Sequence, residues 1–159
     1  MIILGLDPGI ALTGWGVVEK KDKPKLVAYG CIRTDKGQSQ EERLLEIYQE
    51  LEAIIEKHQP QAVCLEKLFF NTNVKTAMAV GEARGVMKIC AVRKNIPITE
   101  FTPLQIKKSI TGYGRAPKRQ VQEMVKTLLS LDKIPQPDDA ADAVAVALTY
   151  CFHNSKLEG

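Results

Sequence analysis

The sequence is poor in the residues and runs that mark several protein classes. It has two histidines, one tryptophan and 6% aromatic residues. Its four cysteines (Cys31, Cys64, Cys90 and Cys151) form no CxxC pair, which excludes a zinc ribbon or a dithiol redox motif. Each cysteine sits in an apolar run, so buried free thiols in a reducing compartment are expected. No apolar stretch approaches the roughly 18–20 residues that a membrane span needs. The opening MIILGLDPG is too short an apolar run for a signal peptide and is interrupted by Asp7. Repeats, low-complexity tracts and long linkers are missing. At 45% hydrophobic and 26% charged, the composition excludes disordered, collagen-like and mucin-like chains. These absences leave a cytoplasmic protein with one domain over residues 1–159, its last few residues a disordered tail. A chain of this length buries about 70% of its unfolded surface.

Charge is scarce in net terms, at +3, but it is unevenly placed. Residues 1–80 hold ten Lys/Arg against eleven Asp/Glu, and residues 81–159 hold twelve against eight. Within 107–133, Lys107, Lys108, Arg115, Lys118, Arg119, Lys126 and Lys133 face only Glu123 and Asp132. A polyanion partner needs such a footprint, although a solvated basic helix face has the same composition.

Hydrophobic patterning predicts an α/β fold. Ile2 to Leu6 is wholly apolar, as a central strand buried on both faces would be, and Asp-Pro-Gly breaks it. Thr13 to Glu19 and Leu26 to Arg33 complete an antiparallel meander around the polar turn KKDKP. Leu44, Tyr48, Leu51 and Ile55 then fall at helical spacing within 40–58. Ala62 to Leu68 is a fourth strand, 73–94 a long helix, and 97–101 a fifth strand. Helices follow over 103–110, 118–131 and 137–153. The order implies a mixed sheet with right-handed crossovers covering its faces.

Four carboxylates stand in apolar company. Asp7 ends the first strand, Glu66 lies within the fourth, and Asp139 and Asp142 open a helix of Ala and Val. Carboxylates are rarely buried unless paired or metal-bound, and Lys67 points to the opposite face from Glu66. Asp7 in Asp-Pro-Gly also suits a plain turn, and an acid at 138 or 139 suits a helix cap. Asp142 lies three residues from Asp139 and four from Asp138, so periodicity leaves both as partners. If the acids converge, hard oxygen donors without His or Cys suit Mg²⁺ or Mn²⁺ rather than zinc. Two such ions support in-line phosphodiester hydrolysis. His58 and His153 end surface helices and are expected to be solvent-facing.

The segments ILGLDPG with TGWGVV, LEKLFF, GEARGV and DDAADAVAVAL resemble the RuvC family of bacterial Holliday junction resolvases, in order and spacing, from Met1 to about His153. The resemblance implies an RNase H-like fold with a five-stranded mixed sheet, its first three strands antiparallel, flanked by helices. It maps an acidic tetrad that holds two Mg²⁺, with Mn²⁺ substituting, onto Asp7, Glu66, Asp139 and Asp142, which leaves Asp138 as a neighbour or cap. It implies DNA contacts by Phe69, which stacks on unpaired bases, and by Lys107, Lys118 and Arg119. A core phenylalanine would look the same as Phe69 in sequence. The implied activity is paired, symmetric nicking of four-way junction DNA by a homodimer, leaving 5′-phosphate and 3′-hydroxyl ends. The implied partner is the RuvA–RuvB branch-migration complex. Ala77, Gly81 and Gly85 form a small-residue stripe suited to close packing, and the family dimerises partly through this helix.

Three rivals are weaker. An actin-like ATPase or sugar kinase shares the first phosphate-loop pattern but needs a second such domain. An RNase H-like nuclease for RNA or simple ends has less use for Phe69 and the lysines. A binding module without catalysis has no use for four converging acids.

Overall fold

The computed structural model describes residues 1–68 and 73–154. Five strands, β1 (Ile2–Asp7), β2 (Leu12–Glu19), β3 (Lys25–Arg33), β4 (Ala62–Glu66) and β5 (Ile98–Phe101), form one sheet in the order β3-β2-β1-β4-β5. β1 pairs antiparallel with β2 and parallel with β4. The all-apolar run therefore occupies the centre of the sheet, where both faces are covered. The five helices are α1 (Gln40–His58), α2 (Val74–Arg93), α3 (Pro103–Thr111), α4 (Lys118–Leu128) and α5 (Asp138–Asn154).

Side-chain alternation divides the interior in two. Leu4, Leu6, Val17, Val63 and Leu65 point to one face and pack with Ile47, Leu51 and Ile55 of α1 and Met87 and Cys90 of α2. Ile3 and Cys64 point to the other face, against α3, α4 and residues 144–148 of α5. With a period of two, Asp7 and Glu66 fall on the α5 face. Local signals set the helix starts. Ser39 with Glu42, and Thr102 with Gln105, form capping boxes, each satisfying two otherwise orphaned N–H groups.

Glycine decides how closely α5 lies on the sheet. A Cβ at Gly14 would stand 1.9 Å from the Asp139 carbonyl oxygen, and one at Gly5 2.1 Å from that of Ala143. Only a residue without a side chain fits at either place. The alanines of α5 complete the fit: Ala140, Ala143 and Ala147 are fully buried.

Several expected boundaries shift. β4 ends at Glu66 rather than Leu68. The fourth helix ends at Leu128 rather than 131, because Ser130 adopts a left-handed φ of 54°. The four thiols are free, but Cys31, on the edge strand β3, is only partly buried. His58, at the end of α1, is half-buried against Trp15 of β2, ring centroids 5.9 Å apart. The exposed His153 forms a T-shaped pair with Phe101, ring centroids 5.5 Å apart. The expected tail at 155–159 lies outside the described residues.

Candidate active site

Asp7 is the last residue of β1, opposite Gly14 of β2. Leu6 lies opposite Leu65, so Glu66, the last residue of β4, stands beside Asp7 on the next strand. The start of α5 crosses over both because Gly14 admits the Asp139 backbone. Two strand ends and one helix start thereby bring the four acids to one edge of the sheet.

The electrostatics show how close they are. Burial raises the Asp7 carboxyl to about 8, and the charges of Asp142, Asp139 and Glu66 add to the shift, with a hydrogen bond between Asp7 and Asp139. Glu66 is raised by burial and by Asp142, against the opposing pull of Lys107, Arg84 and Lys118. Asp142 is raised mainly by burial, while Lys118 works in the other direction. Burial is the largest cause of each shift and neighbouring carboxylates add to it, so a bound cation would favour the ionised acids. Among the described residues, no group of three or more His, Cys, Asp or Glu stands ready-formed around a common ion position. Asp142 is paired instead with the Lys118 ammonium at 3.3 Å, which also reaches Asp138 at 3.6 Å. The donor set is entirely carboxyl oxygen, which suits hard divalent ions such as Mg²⁺.

Asp138 and Asp139 separate cleanly in space. Asp138 is exposed and accepts from Gln122 Nε2 at 3.1 Å, on the α4 side. Asp139 is the one that meets Asp7. Partial burial works against the charge on Lys118, but Asp142 and Asp138 outweigh it and hold the ammonium above its ordinary value.

A cleft of about 220 Å³ opens beside the acids, lined by Glu66 and Asp142 together with Lys107 and Lys118. Pro103, Ile106 and Val121 form its apolar floor. Lysines set among carboxylates in one cleft can bind a phosphodiester and neutralise charge on it. Arg119 does not line this cleft. It is exposed on α4 and paired with Glu123 at 2.9 Å, in the helical i,i+4 relation. Phe69 lies outside the described residues.

Two features escape the sequence reading. Arg84, on the inner face of α2, is 7% exposed and donates to the Glu66 backbone carbonyl and to Glu100. A lone arginine among Ala77, Ala83, Met87 and Cys90 was the available signal. Gly14 and Gly16 are the other feature, since glycines inside a strand mark a close approach.

A protein-family model described as "Crossover junction endodeoxyribonuclease RuvC" matches residues 3–150. A protein of that name from Caldanaerobacter subterraneus subsp. tengcongensis is 50% identical over 159 residues, covering 99% of this chain and 96% of its own. Another, from Alkaliphilus oremlandii, is 52% identical, with 99% and 97% covered. A solved structure described as T. thermophilus RuvC in complex with Holliday junction substrate superposes with a TM-score of 0.94 at 33% identity, covering 98% of this chain and 96% of that one. The five-stranded mixed sheet is therefore RNase H-like, as its motifs imply. With the family model matched across nearly all of the sequence and full-length relatives half-identical to it, the chain belongs to the crossover junction endodeoxyribonuclease RuvC family.

Proposed function

We propose that this protein resolves four-way DNA junctions by paired nicks in strands of like polarity, as a homodimeric endonuclease in recombination and repair. The observation that carries the reading is the gathering of Asp7, Glu66, Asp139 and Asp142 at one sheet edge, beside a cleft lined in part by Lys107 and Lys118, in a chain half-identical to enzymes named for that reaction. The four acids would hold two Mg²⁺, or Mn²⁺ in their place, which supply water activation and charge neutralisation for phosphodiester hydrolysis. A water oxygen joins phosphorus and the bond to the 3′ oxygen breaks, leaving a 5′-phosphate and a 3′-hydroxyl.

The chain's own groups prepare that step. Lys107 and Lys118 bind the phosphate from beside the acids, and Lys118 exchanges its pairing with Asp142 for the phosphate. Asp7 gives up its proton on taking part in metal binding, so uptake strengthens as pH rises toward 8. Phe69 stacks on an unpaired base at the crossover, an interaction worth ~1–3 kcal/mol. Arg119 adds backbone contact further along the strand. The branch-migration motor RuvA–RuvB delivers the junction, in the cytoplasm. Among the described residues no helix is long and apolar enough to cross a membrane.

The second copy is argued from α2. Its outer face exposes Val74, Met78, Ile89 and Val92. Gly81 and Gly85 sit between them at spacings of three and four, so one continuous apolar stripe runs along the helix. A Cβ at Gly85 would meet nothing within 4 Å, so that glycine is free to admit another backbone. Ile89→Asp should weaken self-association by about 100-fold, the scale of a lost interface anchor. Light scattering across a dilution series checks this, and an unchanged dimer would place the interface elsewhere.

The function is tested with a synthetic four-way junction and a matched linear duplex, in Mg²⁺ or in EDTA. Symmetric, Mg²⁺-dependent nicks confined to the junction are expected. Equal attack on duplex or RNA would assign the chain to a sister nuclease activity.

A further inference from the structure

Arg84 is the one charged side chain that α2 sends into the interior among the described residues. A charge is costly to bury unless it is fully engaged, so its contacts identify what it does. One guanidinium nitrogen donates to the backbone carbonyl of Glu66, and another to a carboxylate oxygen of Glu100 on β5. Lys88, one turn further along α2, joins the same Glu100 oxygen at 2.9 Å. Arg84 also lines the pocket that opens onto Asp7 and Glu66.

The backbone explains why a donor is needed there. Lys67 N–H donates to the Phe101 carbonyl at 2.7 Å, so the Glu66 carbonyl, on the same peptide, points the other way, toward β1. One step beyond the pairing of Leu6 with Leu65, the β1 nitrogen facing it belongs to Pro8. A proline nitrogen has no hydrogen to give, so the ladder cannot satisfy this carbonyl. Arg84 supplies the missing donor at the residue that carries the Glu66 carboxylate.

We propose that Arg84, anchored by Glu100, is a positioning residue that fixes the end of β4 and with it the Glu66 carboxylate. The inference rests on the nuclease reading above. It requires the arginine fork, because a lysine ammonium cannot span a carbonyl and a carboxylate in the same fixed geometry. Glu100 stays ionised as the anchor. Partial burial works against its charge, but Lys88 and Arg84 outweigh it and lower its pKa.

The test measures single-turnover nicking of preformed junction complexes, junction affinity and thermal stability on the same preparations. Arg84→Lys and Glu100→Ala should slow nicking by about 100-fold, the scale of a catalytic group misplaced by about an ångström, with junction affinity unchanged. Glu100→Gln keeps an acceptor for the guanidinium and should recover most of the rate. Lys88→Ala, which touches Glu100 but not Glu66, should nick as the parent does. Parental rates in Arg84→Lys and Glu100→Ala, or affinity lost in step with rate, would overturn the assignment. If Arg84→Lys does not fold, Glu100→Ala against Glu100→Gln carries the same comparison. A parent that does not nick junctions overturns the nuclease reading too; a nicking parent with unaffected variants overturns this inference alone.

Discussion

Asp7→Asn is expected to lower junction nicking by about 10³-fold or more, because it removes a carboxylate that two-ion phosphodiester hydrolysis depends on. Junction binding should survive, or tighten, since a negative group beside the phosphate becomes neutral. Single-turnover cleavage and a gel-shift titration on one preparation separate the two effects. Parental cutting would remove Asp7 from the metal site. The same substitution has a signature in stability. Asp7 is raised from 3.8 to about 8 in the folded protein, so between those values the folded state binds more protons than the unfolded one. The Asp7 contribution is therefore fully present below about 4 and lost as pH rises through about 8, on the order of a few kcal/mol. Urea melts in EDTA should show the parent weakening across that window, and Asp7→Asn should flatten the slope. Mg²⁺ should stabilise the parent more at pH 8.5 than at pH 5, because a ligand specific to the folded state binds best once the proton is gone.

Gly14→Ala should disable the protein by a different route. The added methyl would lie 1.9 Å from the Asp139 carbonyl oxygen and 2.3 Å from its carbon, and backbone cannot rotate aside as a side chain can. α5 must lift from β2, at a cost of about 3 kcal/mol for overpacking a rigid contact. For a chain of this size that corresponds to a melting temperature roughly 10 °C lower. Nicking should disappear, because Asp139 and Asp142 move with the helix. The Asp7 signature should fade as well, since Asp139 no longer meets it. Scanning calorimetry and the junction assay together test this. A variant that melts as the parent does would mean that α5 lies further from the sheet than the structure places it.

The central strand was legible because an apolar run ended by Asp-Pro-Gly has few other solutions. Glu66 was conspicuous as an acid inside Val63-Cys64-Leu65. The choice between Asp138 and Asp139 was not legible in the spacing, because both lie within one helical turn of Asp142, and rested on the family resemblance. Only the placement of α5 on Gly14 turns one toward Asp7 and the other toward Gln122. Arg84 escaped for a related reason. Its partners are a carbonyl at the end of one strand and a carboxylate on another, which no spacing along α2 encodes. Arg119 carries the right charge on the right helix and its pairing with Glu123 follows from helical spacing, but its place outside the cleft depends on how α4 packs, which spacing along α4 does not encode.

The four acids come from three separate stretches of the described chain: Asp7 closes the first strand, Glu66 closes the fourth, and Asp139 and Asp142 open the last helix. A molecule whose sheet has formed but whose α5 has not docked holds only half of the carboxylates. Cutting therefore requires the sheet edge and the docked start of α5 together, since neither part alone holds the full set of acids. A copy with α5 undocked is expected to be an inert protein rather than an indiscriminate nuclease.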